Sequence, residues 1–323
     1  MFSYIKYVRA ISDAGSFSEA AKSLYITQPC LSAMIKKAET QLGIKLFDRT
    51  SKPLQLTDLG RQYLEYYDKV QSIEREFENY LSDVRGLQTG SLYIGTNNVF
   101  ASYVLPPLIR HFNNLYPGVR VHMIEGNVRY LSEALAQGRL DFVIDNCPMD
   151  TEEFFQEKIG DEQLLLAAHR SVVEAESIPD TFLTYHQIIC GTHLNENTPS
   201  VPIISFAHLP FILLRAGNDT RIRVDSIFAE ARKTAVPQLE VDQLATAYNI
   251  ACNQLGITLV SDTLIYNATP NDDMKYYKLD SSHTKRAIYI YSKLRKYQTS
   301  AMQAFLTVAR TYVPQKILFN KKT

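Results

Sequence analysis

The chain has 323 residues, of which 46% are hydrophobic and 21% charged, with a formal net charge of zero. This composition is typical of a folded protein of two or three domains and excludes an intrinsically disordered chain. No apolar run reaches the roughly 18–20 residues that cross a bilayer, and no basic-then-apolar leader begins the sequence. We therefore expect a cytoplasmic protein with no membrane partner.

The charge is unevenly distributed along the chain. Residues 1–61 contain nine Lys or Arg and five Asp or Glu, a net charge of +4, and the remainder carries −4. A basic segment joined to an acidic body favours a nucleic-acid-binding domain on a trunk that does not bind nucleic acid. The four cysteines form no C-x-x-C pair and the seven histidines have no metal spacing, so we expect no metal, no cofactor and no redox motif.

The first 24 residues predict two short helices. Apolar residues recur at steps of three over residues 2–14, and Gly15 follows them. Ser16 and Glu19 have the S-x-x-E spacing of a capping box, in which Ser16 accepts from a free N–H of the new helix and Glu19 reaches back. This pattern places a second helix at about residues 17–24.

A third helix is predicted from Gln28 to about Leu42. Thr27 is its N-cap, Pro29 lies in its first turn, and Gly43 is its natural C-cap. One face is apolar and the other polar or basic. The predicted buried stripe is Leu31, Ile35, Ala38 and Leu42, and the opposite face carries Gln28, Ser32, Lys36 and Lys37.

Two helices joined by a tight turn, the second with a basic face, indicate a helix-turn-helix, whose second helix lies in the DNA major groove. Gln28 can pair with adenine through its amide, and lysines suit phosphates. Short apolar segments at 45–47 and 54–56 predict a β-wing between them. The predicted DNA-binding set is Ser16, Thr27, Gln28, Pro29, Ser32, Lys36, Arg49 and Lys52. From spacing alone, a three-helix scaffold with an incidental basic face stays open.

Several blocks of this region resemble the LysR-type transcriptional regulators of bacteria. They are GSFSEAA at residues 15–21, TQPCLS at 27–32, LGIKLFDR at 42–49 and LTDLG at 56–60. The sequence departs from the family at Ala33, where arginine is frequent, and at Ala38, where leucine is usual, so the operator preference is not carried over. The resemblance implies a winged helix-turn-helix that binds double-stranded DNA.

From Thr57 to about Arg85 the pattern predicts one long helix with a broad apolar stripe. Leu59, Tyr66 and Ile73 recur at steps of seven, and a second series includes Tyr63 and Val70. Self-association is the natural way to cover such a stripe, although packing against the chain's own C-terminal domain is an alternative. In the resembled family this helix forms the dimer.

From residue 91 onward, predicted strands alternate with predicted helices, which implies parallel sheets covered by helices. The strings LPP at 105–107, GRLD at 138–141 and LGI at 255–257 continue the resemblance to the family's effector domain. That domain is similar to periplasmic binding proteins, with two lobes and a cleft between them. The segment of residues 176–205 is longer than the corresponding segment usually is in the family. Asn253-Gln254 replaces a pair of residues that are commonly small.

Ligands in such sheets bind where strands end and helices begin. The segment 96–99 fits this position and matches one that the resembled family uses, whereas isolated asparagines at such ends are often plain capping residues. Arg215 could pair with a carboxylate or form a surface ion pair. The predicted effector-binding set is Thr96, Asn97, Asn98, Val99, Asn127, Asn146, Arg215 and Asn218.

We therefore predict a multidomain chain: an all-α winged helix-turn-helix (residues 1–58), a linker helix with its hinge (59–89), and an α/β effector domain (90–323) of two Rossmann-like lobes. Lobe one is predicted at 91–160 and 267–300, and lobe two at 161–266. The sequence contains no G-x-S-x-G, P-loop, H-E-x-x-H or G-x-G-x-x-G motif, so we expect no catalytic residues. The resemblance implies a transcriptional regulator modulated by a small-molecule effector. Its expected partners are DNA, a second copy in a homodimer or homotetramer, and RNA polymerase. The alternative is a solute-binding module or enzyme that uses the N-terminal helices for assembly.

Overall fold

A computed structural model describes residues 2–51, 53–84, 90–174, 178–294 and 297–317. Lys52, which belongs to the predicted DNA-binding set, lies outside the described residues, as do residues 86–89 of the hinge predicted between Gly86 and Gly90. The chain divides into two compact units within a long helix, at Leu81–Ser82. No helix in the described ranges is long and apolar enough to cross a membrane.

The first unit is a small helical domain with a two-stranded wing. Its core is formed by apolar residues of the first three helices, among them Val8, Leu31 and Ile35, all fully buried. The predicted helices agree with the structure to within three residues at either end. The elements are α1 (Ile5–Ala14), α2 (Phe17–Ser23), α3 (Gln28–Leu42), β1 (Phe47–Asp48), β2 (Gln55–Leu56) and α4 (Asp58–Val84).

The junction between the wing and α4 requires a glycine. Strands β1 and β2 pair antiparallel, and the Thr57 hydroxyl donates to the Lys45 carbonyl (2.7 Å) while it accepts from the Gly60 N–H (2.9 Å). A Cβ atom at position 60 would lie 2.1 Å from the carbonyl oxygen of Leu46. Because that oxygen belongs to the backbone and cannot rotate away, only glycine fits at this position of the LTDLG block.

Helix α4 exposes an apolar stripe over most of its 27 residues. Ile73 is 66% exposed and Phe77 60% exposed, and Leu59, Tyr66 and Val70 lie exposed on the same side. The predicted second series is divided, since Tyr63 is buried in the core of the first unit. The exposed stripe therefore lacks Tyr63, and it is narrower in the first turns of α4 than the heptad pattern suggested.

The second unit is an α/β domain of two lobes. Its strands are β3 (Gly90–Thr96), β4 (Val119–Glu125), β5 (Phe142–Asp145), β6 (Phe154–His169), β7 (Phe211–Leu214), β8 (Pro237–Val241), β9 (Ile257–Ser261), β10 (Met274–Tyr277) and β11 (Lys285–Lys293). Its helices are α5 (Asn98–Tyr103), α6 (Leu105–Leu115), α7 (Val128–Ala136), α8 (Arg170–Val173), α9 (Tyr185–Ile189), α10 (Asp219–Glu230), α11 (Leu244–Cys252), α12 (Asp262–Asn267) and α13 (Ser300–Ile317).

The described strands are joined in the order β4-β3-β5-β11-β6-β9-β7-β8, with β10 also paired to β6. The long strand β6 belongs to both lobes: its first part pairs with β11 in the first lobe, and its second part pairs with β9 and β10 in the second. The pairs among β3, β4 and β5 and among β7, β8 and β9 are parallel, as predicted, whereas every pair that involves β6 or β11 is antiparallel. These two strands carry the chain between the lobes, which the simple alternation of strands and helices could not show.

The lobe boundaries differ from the predicted ones in one segment. The prediction assigned residues 267–300 to the first lobe, but β10 pairs with residues 166–169 of β6 in the second. The chain returns to the first lobe only with β11. Strand β8 was not predicted, because its residues PQLEV are mostly exposed at the edge of the sheet and do not form an apolar run.

Candidate nucleic-acid interface and ligand cleft

The helix-turn-helix is held by the capping side chains that the sequence predicted. The Ser16 hydroxyl accepts from the N–H groups of Ser18 and Glu19 (3.2 and 3.5 Å), and Thr27 accepts from Cys30 N–H (3.4 Å). Glu19 does not complete the predicted capping box, because its carboxylate accepts from Lys22 instead (2.8 Å). Between the two helices, Tyr25 adopts a left-handed backbone conformation (φ 55°) and makes the tight turn without glycine.

The exposed face of α3 carries the residues predicted to meet DNA. Gln28, Pro29 and Lys36 are exposed, and Ser32 is half-buried on the same face. The opposite face is buried through Leu31, Ile35 and Ala38, as predicted, while Leu42 is only half-buried. Gln28 is the first residue of the helix, where a side chain can reach the edge of a base.

A buried carboxylate that the sequence analysis missed connects α3 to the wing. Glu39 is buried, and its Oε1 accepts from the backbone N–H of Leu46 (2.9 Å). Its Oε2 lies 3.5 Å from Arg49 and 3.6 Å from Lys45. The Arg49 guanidinium also lies over the Phe17 ring at 5.4 Å. Arg49 therefore positions the wing in addition to contributing positive charge. The sequence predicted its role as a DNA contact but not this structural role.

Seven of the eight predicted cleft residues line one cavity of about 580 Å³ between the two lobes of the second unit. The exception is Thr96, which is fully buried and donates its hydroxyl to the Ile144 carbonyl (2.7 Å). Its side chain is hydrogen-bonded to the neighbouring strand β5 and does not line the cleft. The residues brought together are Asn97, Asn98, Val99, Asn127, Asn146, Arg215 and Asn218.

Three of these asparagines cap the helices that begin at the cleft. Asn97 caps α5, Asn127 accepts from Tyr130 N–H at the start of α7 (2.9 Å), and Asn218 caps α10. Helix α11 also begins here, after Gln243, whose side chain is exposed. Helix N-termini direct free N–H groups and a partial positive charge into the cavity, which favours oxygen-bearing or anionic ligands.

The floor of the cleft is a buried charge network that was not predicted. Arg286 donates to Glu162 Oε2 (2.6 Å), Asp219 Oδ2 (2.9 Å) and the Thr220 hydroxyl (3.0 Å). Asn146 donates to the same Glu162 oxygen (2.8 Å). The guanidinium thus joins β11 of the first lobe to the β6 crossing strand and to α10 of the second lobe.

Two further titratable groups, Asp145 and Cys147, lie on the floor of the cleft, and neither is reactive. Burial raises the pKa of Asp145, although its Oδ1 accepts from the backbone N–H groups of Asn146 and Cys147 and from the Asn97 amide. Burial, followed by the charge of Asp145, raises the pKa of the Cys147 thiol to about 12. This thiol is protonated at neutral pH and is a poor nucleophile.

The cleft rim carries exposed cations with weak partners. Arg129 pairs with Glu133 one turn along α7 (3.1 Å), and Arg215 pairs with Asp242 (3.2 Å), with all four side chains exposed. The sequence left two roles open for Arg215, a pair with a ligand carboxylate and a surface ion pair. Its position agrees with both, since it lines the cleft and also forms a surface ion pair. Exposed pairs of this kind are worth little, so a ligand anion can displace them.

A winged helix-turn-helix with a basic face, followed by a two-lobed domain with a polar cleft, defines the class of ligand-responsive DNA-binding proteins. The sequence matches two family profiles that together span most of the chain. Residues 2–61 match the bacterial regulatory helix-turn-helix proteins of the lysR family, and residues 85–314 match the LysR substrate binding domain. The chain belongs to the LysR family of transcriptional regulators.

Relatives and solved structures agree with this assignment. The chain is 28% identical over 317 residues to the uncharacterized HTH-type transcriptional regulator YcgK of Bacillus subtilis (strain 168), with 96% of this chain and 94% of that protein covered. It is 27% identical over 304 residues to a probable RuBisCO transcriptional regulator of Chlorokybus atmophyticus, with coverages of 92% and 90%.

Among solved structures, CbnR, a LysR family transcriptional regulator, superposes with a TM-score of 0.67 at 19% identity, over 96% of this chain and 98% of that chain. Full-length CbnR in complex with its target DNA gives a TM-score of 0.66 at 19% identity, over 96% and 99%. At this identity the two structures show a shared fold. The protein is a sequence-specific DNA-binding transcriptional regulator, modulated by a small-molecule effector bound between two α/β lobes.

The exposed face of α3 leads to a prediction that separates base reading from phosphate binding. After an operator is selected from random-sequence DNA, Gln28→Ala should lower its affinity by about 1–3 kcal/mol and relax preference at one base pair per half-site. Lys36→Ala should weaken binding to all sequences and reduce the salt slope by about one.

Fluorescence anisotropy at several salt concentrations measures both effects. Gln41→Ala is the matched control, because residue 41 is exposed on the same helix, about 20 Å along the axis from Gln28. If Gln28→Ala keeps the affinity and base preference of the unaltered protein, α3 does not read bases through this residue.

Proposed function

We propose that the effector is a small polar molecule with at least one carboxylate or phosphate group, held in the interlobe cleft. The helix N-termini of α7, α10 and α11 and the rim cations Arg129 and Arg215 support an anionic ligand. The abundance of asparagine favours a ligand with several hydroxyl or carbonyl groups over an aromatic one. No cofactor takes part, and because the LysR family consists of regulators we assign no catalytic step to the cleft.

The effector proposal is tested with a panel of small carboxylates and phosphate esters. A ligand at one hundred times its Kd should stabilise the protein by about 2.7 kcal/mol, which a thermal unfolding scan detects. Arg129→Ala should weaken binding of that ligand at least tenfold, because within the described residues its exposed guanidinium pairs only with Glu133 and can turn to a ligand anion.

Arg110→Ala removes an exposed arginine on α6, outside the cleft, and should leave the affinity unchanged. Binding of the neutral amides of these carboxylates, when no carboxylate or phosphate ester of the panel binds, would refute the proposed effector class, as would an affinity that Arg129→Ala leaves intact.

We further propose that the regulator is a homodimer that pairs into a tetramer, with α4 as the dimer contact. The observation in support is the exposed stripe that includes Tyr66, Ile73 and Phe77, since an apolar surface of this length on one helix is usually covered by a partner. A dimer would present two α3 helices to half-sites in successive major grooves.

Sedimentation of the full chain tests the assembly. Ile73→Glu should shift it towards monomer, because a carboxylate would be buried without a partner in an apolar contact. Gln71→Glu adds the same charge to the opposite side of α4 and should leave the oligomer intact. A wild-type chain that sediments as a monomer at micromolar concentration rules out the proposed dimer.

The regulatory step that we propose is a change of shape. Closure of the two lobes around the effector would favour one of two arrangements of the oligomer and so alter the bend of the bound DNA and its contact with RNA polymerase. The proposal places the protein in the cytoplasm of a bacterial cell, where the DNA is. It rests on family membership and on the two-lobed architecture of the second unit.

A further inference from the structure

A second cavity, of about 480 Å³, lies within the effector domain and does not share its lining with the interlobe cleft. One wall is β6 at Glu162 and Gln163, and another is the 3-10 helix Thr192–Leu194. That helix belongs to the segment 176–205, which the sequence analysis singled out as longer than is usual in the family. The proposed interlobe effector site makes no use of this cavity.

Two buried polar atoms among its lining residues have no hydrogen-bond partner within the described structure. They are Oε1 of Glu162, whose side chain is fully buried, and Nδ1 of His193, which is 0% exposed. A buried polar group without a partner is costly and rare in native proteins. Both residues line the same cavity, so a ligand there could satisfy both atoms.

The hydrogen bonds around His193 determine what its free nitrogen can do. Its Nε2 lies 3.1 Å from Asp262 Oδ2, and the other oxygen of that carboxylate accepts from the N–H groups of Gln163 (3.1 Å) and Thr263 (2.9 Å). A carboxylate held in this way is an acceptor, so we assign the ring proton to Nε2. In the neutral ring Nδ1 is then an acceptor, as is Glu162 Oε1, and both require a donor.

The same cavity carries two cations, Lys278 and Lys285. Burial, and then the like charge of Lys285, lower the pKa of Lys278, against the opposing effect of Glu196. The Lys278 ammonium donates to the Asn195 carbonyl (2.7 Å), which leaves two of its three protons for other acceptors. An anionic group near these two lysines would offset their mutual repulsion.

We propose that this cavity is a second ligand site, which takes a small zwitterion of the α-amino-acid type. The ligand's ammonium group donates to Glu162 Oε1 and His193 Nδ1, and its carboxylate pairs with Lys278 and Lys285. An ammonium has three donors and no acceptor, so it can satisfy both acceptors at once, which a simple anion cannot do.

The carboxylate of Glu162 also connects the second site to the cleft. Its Oε2 accepts from Arg286 and Asn146, both of which line the interlobe cavity. A charge placed on Oε1 changes the strength of those two bonds, so occupancy of one site alters ligand affinity at the other by the same factor in both directions. This coupling rests on the proposed cleft effector, whereas the existence of the second site does not.

The test is calorimetric titration of the full-length protein with each of the L-amino acids, in the absence of any cleft ligand. At least one should bind, and its N-acetyl and carboxamide derivatives, which lack the ammonium and the carboxylate respectively, should bind at least tenfold more weakly. Lys285→Ala should weaken amino-acid binding at least tenfold. We expect this variant to fold normally, because the side chain that it removes is exposed. Lys233→Ala, another exposed lysine of the same domain outside the cavity, is the matched control.

Three results overturn the proposal: no amino acid binds, the N-acetyl derivative binds equally well, or Lys285→Ala has no effect. Loss of amino-acid binding in Arg129→Ala, together with normal binding in Lys285→Ala, assigns the zwitterion to the interlobe cleft and removes the second site. That outcome leaves the proposed effector function standing. If no carboxylate or phosphate ester of the panel binds, and amino-acid binding still depends on Lys285, only the cleft proposal is refuted.

Discussion

The buried guanidinium of Arg286 is the contact on which the two-lobed domain depends. It lies at the beginning of β11 and is held by Glu162 on the crossing strand β6 and by Asp219 on α10. A buried charge is tolerated only when it is paired, and removal of one partner from such a pair typically costs about 3–5 kcal/mol. The network therefore fixes the position at which the two lobes meet. The other groups that line the cleft surround this buried network.

The cleft combines that fixed floor with an adaptable rim. Floor groups such as Asp145 and Cys147 are desolvated, and burial keeps their pKa values above the usual range. Rim groups such as Arg129 and Arg215 form only exposed ion pairs, which a ligand can replace at little cost. This division suits a binding site that closes on an anion without chemistry. In the other unit Glu39 plays a comparable role, since one buried carboxylate connects the recognition helix to the wing.

Local signals could be predicted from the sequence, and contacts between distant segments could not. The caps at Ser16 and Thr27 depend on neighbouring residues, so spacing located them, and the cleft asparagines were located by their place at strand and helix ends together with the family resemblance. Arg286 is 124 positions from Glu162, and nothing near it in sequence indicates the pair. Thr96 was placed in the cleft because it belongs to the segment 96–99 that opens a helix, but its hydroxyl donates to the Ile144 carbonyl, 48 positions away, which nothing near it in sequence indicates. Strand β8 and the antiparallel crossings were missed for a similar reason, since edge position and lobe connectivity are properties of the whole sheet.

The central claim is that a ligand held in the interlobe cleft changes how this regulator shapes its operator. The most direct measurement is energy transfer between dyes at the two ends of operator DNA, bound to the full-length protein and titrated with a cleft ligand. The account predicts a saturable change in transfer with a midpoint near the ligand's Kd, and a midpoint at least tenfold higher in Arg129→Ala. Transfer that stays constant while calorimetry shows the cleft to be filled would contradict it.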